Sequence, residues 1–368
     1  MMTPPIAARK DGRLGWISLN RPSVGHAFNV KMSLAIAEVL SGWLCDDDVE
    51  LVLIDHAYGS RGFCLGSDLI SLARATCMIG DGAREFLANL YQLCYTISEY
   101  PKPIVTVIDG HVSGSAVGIS LAASHQVATN KTSLMVTDSA AGFAPDCGAT
   151  LHLAKLPNEL GTWLALTSSK LEQRDVIAAG LATHYCVSSD LMSLKESLRS
   201  EGISALSQYR ASPRPTYSHR INEIENAFQG DCAMEIKRRL EAGSLWARQQ
   251  ATKMLAKSPL STKITLRQLR TARYLDSLEA SLQIDFRVAS RLVETRNFRE
   301  GVRAVHWERD HCPSWEPNSL FAVNKDMVSK FFSPICEKEL QLCNPLNLRR
   351  STTNLSDTKE WFLAEARR

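Results

Sequence analysis

The sequence lacks several features that would settle a function class at once. It has no apolar run near the length of about 18 residues that a membrane-spanning helix needs. Its ten cysteines form no CxxC pair and no close Cys/His group, which argues against a metal site and for reduced thiols in an intracellular protein. The formal net charge is only +3, and the basic residues are dispersed. Charge alone therefore gives no reason to expect nucleic acid, which requires a clustered basic face. There is no GxSxG, no GxxxxGK[ST], no HExxH and no GxGxxG, so motif support is missing for an elbow-serine hydrolase, a P-loop, a zinc protease and a dinucleotide site. The N-terminal "MMTPPIAARKDGRLGWISLN" contains no signal-peptide core and is poor in Arg and Ser for an organelle presequence. No internal repeat or long low-complexity segment is visible.

What is present is a chain of 368 residues, 45% of them hydrophobic, enough for a sizeable core in one large or two ordinary domains. The first half alternates strand-like and helix-like segments. "GWISLN" (15–20), "LVLID" (51–55), "IVTVIDG" (104–110), "HQVAT" and "SLMVT" (125–137) read as strands. Residues 29–44, 83–99 and the small-residue "SGSAVGISLAAS" (113–124) read as helices. Such alternation implies an α/β fold with parallel connections, whose functional loops lie at strand ends. After about residue 189 the chain becomes charged and helical, as in "AMEIKRRLEAGSLWARQQATKML", "TKITLRQLRTARYL" and "LEASLQIDFRVASRLVE". The charge there reads as a solvated face over a core. The expected organisation is a core of residues 1–188, a helical region of 189–343 packing on it, and a tail of 344–368 that is loose until a last short helix.

Three segments could carry chemistry. "FCLGSD" (63–68) is a Gly-bearing loop after a strand, and "DGHVSGSAVG" (109–118) leads from a strand into a helix through small residues. Free backbone N–H groups at such starts could face one oxygen from two loops, as an oxyanion hole does. The competing account is ordinary turns and close helix packing. The third segment, "MVTDSAAGFAPDCGAT" (135–150), places Asp138 and Asp146 among small, mostly apolar residues. A carboxylate there is costly to desolvate unless it is bonded or functional. Helix capping is the competing account, since Asp146 precedes a possible helix near "GATLHLAKL".

Taken in order, these segments resemble the crotonase superfamily, the enoyl-CoA hydratase/isomerase fold. The matching residues are "GWISLNRP", "FCLGSD", "IVTVIDGHVSGSAVGIS" and "VTDSAAGFAPDCGA". Within the superfamily the chain is similar to 3-hydroxyisobutyryl-CoA hydrolases. Asp146 lies in "PD", where those hydrolases have PDVGG and hydratases have PGAGG. Gly118 stands where hydratases carry the first of two catalytic Glu residues, which argues against a hydratase. "SPLSTKITLRQL" (258–269), "NFREGVRA" (297–304) and "CPSWEP" (312–317) also match. The resemblance spans roughly residues 13 to 332 and implies a ββα spiral core with a helical C-terminal part.

It further implies a short β-hydroxyacyl-CoA as substrate, hydrolysed to free acid and CoA, with no cofactor beyond the CoA of the substrate and no metal. The backbone N–H groups of Ser67 and Ser115 would form the oxyanion hole. Leu65, Gly66, Asp68, Gly114 and Gly118 would line the substrate. Asp138 would act as nucleophile or as general base, and Asp146 would contact the substrate hydroxyl and assist. A mitochondrial location, valine breakdown and a homo-oligomer are the family expectations. The departures are Gly114-Ser115-Ala116 for Gly-Gly-Gly, Gly66-Ser67 for Gly-Gly, Thr137-Asp138 for Pro-Glu, Cys147-Gly148-Ala149-Thr150 for the end of PDVGGG, Leu90 for a substrate-side acid, and His26 for Asn. Together they imply weakened, altered or lost activity. The alternative is a degenerate relative serving as a structural or binding subunit, as in mitochondrial ribosomes, where basic helices would meet RNA or protein. His111 and His184 read as satisfied histidines, and Cys64 and Cys147 as packing residues.

Overall fold

The computed structural model describes residues 4–57, 60, 62–76 and 81–345; the expected last short helix of the tail lies outside them. Two sheets organise the first half. The larger has six strands in the order β1 (Ile6–Asp11), β2 (Leu14–Leu19), β3 (Leu51–His56), β5 (Ile104–Ile108), β7 (His125–Ala128) and β10 (His184–Tyr185). The smaller has four: β4 (Gly62–Cys64), β6 (His111–Ser113), β8 (Ser133–Met135) and β9 (Leu171–Glu172). Pairing is parallel except at β1–β2 and β8–β9. Each of β3, β5 and β7 in the large sheet is followed by β4, β6 and β8 in the small one, and a helix or turn then returns the chain. This is the expected α/β spiral.

The strand residues explain the layering. β5 is buried at all five positions, and Leu51–Ile54 of β3 are buried as well, as parallel strands covered on both faces must be. The helix Leu191–Glu201 covers one face, where Leu191, Leu194 and Leu198 pack on Leu14, Leu51, Leu53, Val105, Val107 and Val127. A larger cluster fills the other side. It runs from Met32 and Ile36 of the helix Val30–Leu44, through Leu87 and Leu90 of Gly82–Ser98, to Ile264, Leu282 and Leu292 of the C-terminal helices. The strand within "IVTVIDG" ends at Ile108. Gly110, at φ +110°, lets the chain turn out of the large sheet into the small one, a conformation glycine adopts without strain.

Candidate active site

The small sheet determines where the candidate residues meet. β4, β6 and β8 are parallel neighbours, about 4.8 Å apart as such strands must be. Their carboxyl ends therefore lie side by side. β4 runs into Leu65-Gly66-Ser67-Asp68, β6 into Gly114-Ser115, and β8 into Val136-Thr137-Asp138. Three segments separated by dozens of residues thus converge at one end of the small sheet, the usual ligand position in open α/β sheets.

The first two loops touch. Gly66 has φ +91°, and a side chain there would approach Ser113 O and Ser115 N at 2.9 Å. Ser67 and Ser115 are both buried, and their hydroxyls hydrogen-bond each other at 2.7 Å. Ser115 is the first residue of the helix Ser115–Ala122, after Gly114 at φ +56°. Neither its N–H nor that of Ser67 donates to a protein acceptor among the described residues. Asp68 caps the helix Leu69–Ala75 by accepting from Ser71 N at 3.0 Å, and it is paired with Arg21 at 2.9 Å. Leu65 is 47% exposed at the surface of the same loop. At Gly118 an added β-carbon would strike the Cys147 carbonyl, so this glycine serves close passage of the helix past the 146–149 segment that carries Asp146.

Asp138 begins a short 3-10 turn, Asp138–Ala141. One carboxylate oxygen, Oδ1, faces Gly114, while Oδ2 is buried with no partner among the described residues. Asp146 is 1% exposed; its Oδ2 accepts from Tyr91 Oη at 3.1 Å, and its Oδ1 has no partner among the described residues. Capping does not account for it, because the helix Ala149–Ala154 is capped by Gly148 without a side-chain bond. Burial raises the Asp138 carboxyl to about 6. Asp146 is raised well above the ordinary range, chiefly by burial and then by the charge of Asp138; the Ser115 hydroxyl, and more weakly the Tyr91 phenol, oppose this. Two neighbouring carboxyls of this kind separate into one that gives up its proton and one that keeps it.

Several residues here carry no obvious mark in the sequence. Tyr91 is fully buried and packs edge-on to Phe286. Asp285, from the helix Leu278–Leu292, accepts from Gly148 N at 3.0 Å, Thr150 Oγ1 at 2.9 Å and Gln268 Nε2 at 3.0 Å. Gln268 Nε2 also reaches Pro145 O at 3.2 Å. The C-terminal motifs hold the other acid. Ser258 N donates to Ser139 O at 3.2 Å. Gly142 lies against the Asn297 carbonyl and Gly301 against Ala141, each where a β-carbon would collide. His111 and His184 bond Ser133 Oγ at 3.0 Å and Thr183 Oγ1 at 2.8 Å. His111 and Ser133 lie at the starts of β6 and β8, the opposite end of the small sheet. Burial pushes the Cys64 thiol up to about 12 and raises the Cys147 thiol well above its ordinary value, which opposes thiolate formation.

Comparison with known proteins bears on the whole chain. A protein from Danio rerio named 3-hydroxyisobutyryl-CoA hydrolase, mitochondrial, is 33% identical over 351 residues, covering 92% of this chain and 91% of its own length. One from Arabidopsis thaliana named small ribosomal subunit protein mS47 is 34% identical over 342 residues, covering 87% of this chain and 82% of its own. The crystal structure of a carnitinyl-CoA dehydratase from Mycobacterium thermoresistibile superposes with a TM-score of 0.87 at 30% identity, covering 92% of this chain and 99% of its own. A profile of the enoyl-CoA hydratase/isomerase family matches residues 14–332. The chain belongs to that family, the crotonase superfamily, with the acyl-CoA enzyme fold this implies.

Proposed function

We propose that this protein is an acyl-CoA thioester hydrolase for a short β-hydroxyacyl-CoA, with 3-hydroxyisobutyryl-CoA as the leading substrate. The observation that carries the reading is the pairing of Asp138 and Asp146. Both are buried, each keeps one unbonded oxygen, and both adjoin the segment of Ser115. In this reading the N–H groups of Ser67 and Ser115 hold the thioester oxygen as negative charge develops on it, a contribution of a few kcal/mol per donor. Leu65, Gly66, Asp68 and Gly114 shape the approach to it. The ionised Asp138 attacks the carbonyl carbon, or takes a proton from the attacking water. The C–S bond breaks, the CoA sulfur leaves and gains a proton, and one water is consumed per turnover. Asp146, which retains its proton, donates to the substrate hydroxyl or to the departing group. By analogy with the hydrolase relatives, whose names call them mitochondrial, the protein would act in mitochondria; a place in valine breakdown is what the family resemblance implies.

The test is thiol release from 3-hydroxyisobutyryl-CoA and 3-hydroxypropionyl-CoA. Asp138→Ala and Asp146→Ala should each lower the rate ~10²–10⁴-fold without unfolding the chain. Turnover unchanged in both variants would remove the site assignment.

A second reading is favoured by one observation. The Ser67 and Ser115 hydroxyls are bonded to each other between the two loops, where the family pattern has glycine. That fits a hydrolase-like chain kept as a structural subunit, the role that the name of the mS47 relative describes for that protein. No turnover by folded wild-type protein, together with co-sedimentation on ribosomal particles, would select it.

A further inference from the structure

Asp285 has no role in the reading above, yet its surroundings are unusual. It is 1% exposed and lies 139 residues from Asp146 in the chain. Every hydrogen bond recorded for it is one it accepts: from Gly148 N–H on Oδ2, and from Thr150 O–H and Gln268 N–H on Oδ1. An oxygen set that only accepts suits the ionised form. The donors are not scattered. Gly148 and Thr150 belong to the Pro145–Thr150 segment that carries Asp146, and Gln268 ties the same segment at its other end through Pro145 O. One carboxylate thus clamps both ends of the segment holding the proposed acid.

We propose that Asp285 is a positioning residue: it fixes the Pro145–Thr150 segment and places negative charge behind Asp146, so that Asp146 keeps its proton as a donor. This rests on the reading of Asp146 as a reacting acid. The titratable groups facing the pair are known from each packed element. Gly82–Ser98 supplies Tyr91 and Cys94, the 3-10 turn supplies Asp138, and the clamped segment supplies Cys147. The charged residues of Pro259–Ala272 are engaged elsewhere: Lys263 with Val323 O, Arg267 with Ser329 and the Phe332 ring, Arg270 with Glu159. The groups acting most strongly on Asp146 include no cation. Asp285 itself is raised to about 7 by burial, against the pull of its three donors.

The experiment is carboxyl NMR titration of the full chain carrying ¹³C-labelled aspartate, with Asp146→Asn used for assignment. Asp285→Asn should lower the Asp146 midpoint by about one pH unit, which corresponds to ~1.4 kcal/mol, and Asp285→Glu should restore it. An Asp146 midpoint unmoved in folded Asp285→Asn overturns the proposal. Should Asp285→Asn not fold, Gln268→Met releases one tie while leaving the charge. It should lower kcat ~10-fold or more with KM little changed, and unchanged kcat would overturn the clamp. The titration needs no turnover. A wild type without thioesterase activity would therefore defeat the proposed function while the midpoint still judged Asp285. An active wild type with an unmoved midpoint would do the reverse.

Discussion

Near the carboxyl end of β3, an interior strand of the six-stranded sheet, Asp55 is 4% exposed, as buried as the acids of the candidate site. Its surroundings are the opposite of theirs. Lys195 Nζ lies 2.6 Å away and also sits over the Trp16 ring; Trp16 Nε1 donates at 3.0 Å, and the Ser18 hydroxyl donates too. Asp138 and Asp146 each retain an unbonded buried oxygen, and the charges acting most strongly on Asp146 are those of two other acids, Asp138 and Asp285. A buried acid with a cation and full bonding is part of the scaffold. A buried acid left partly unbonded beside other acids is costly, and under the proposed function that cost is kept for chemistry. What marks the site is therefore the missing counter-charge.

The sharpest way to break this contrast is to remove the scaffold acid. Asp55→Ala leaves the Lys195 ammonium buried without its partner and strips Trp16 and Ser18 of their acceptor. It should cost about 3–5 kcal/mol of stability, read by urea denaturation, while the folded fraction keeps its kcat. A loss of less than about 1 kcal/mol would dissolve the distinction between the two clusters.

Asp138→Asn should do the reverse. The folded-state value of Asp138, about 6, lies above the usual unfolded value of about 3.9. The folded chain thus holds that proton more tightly. Its stabilising contribution is complete below about pH 4 and is lost as pH rises through 6. Asp285, raised to about 7, extends the decline. The Asn variant should match wild type near pH 4 and exceed it at pH 8 by on the order of 3 kcal/mol. Equal urea midpoints at both pH values would show that burial of the Asp138 charge carries no cost.

The same contrast explains what the sequence could disclose. The segments of Ser67, Ser115 and Asp138 each follow a short strand, so local pattern marks the segments, while the family resemblance singles out the residues. The even exposure of Ala7–Lys10 in β1 gives no period-two signal, and nothing in "HQVAT" and "SLMVT" says that they join different sheets. Asp146 was visible, but the choice between capping and chemistry depended on whether its side chain reached the helix start. Asp285 was hidden by the reading of its helix as a solvated face. Yet Leu282, Asp285, Phe286 and Ala289 are all buried, and they follow i, i+3, i+4, i+7. An acid standing at a core position of an amphipathic period was the available mark. Gln268 follows the same rule between Ile264, Thr265 and Leu269. A close approach such as that of Gly118 to Cys147 needs the third dimension.

The finest test of the comparison is Tyr91→Phe. The phenol donates to Asp146 Oδ2 at 3.1 Å and so favours the ionised carboxylate, while Asp285 favours the protonated one. The two groups pull the same proton in opposite directions. Phe fits the Tyr91 site because the ring already packs edge-on to Phe286, and only one hydrogen bond is removed. The expected cost is ~0.5–1.5 kcal/mol, with the Asp146 midpoint moving up, opposite to its movement in Asp285→Asn. In the double variant the two shifts should largely cancel. A downward movement in Tyr91→Phe would mean that the phenol stabilises the protonated acid, so that Tyr91 and Asp285 act on Asp146 in the same direction and the opposition between them fails.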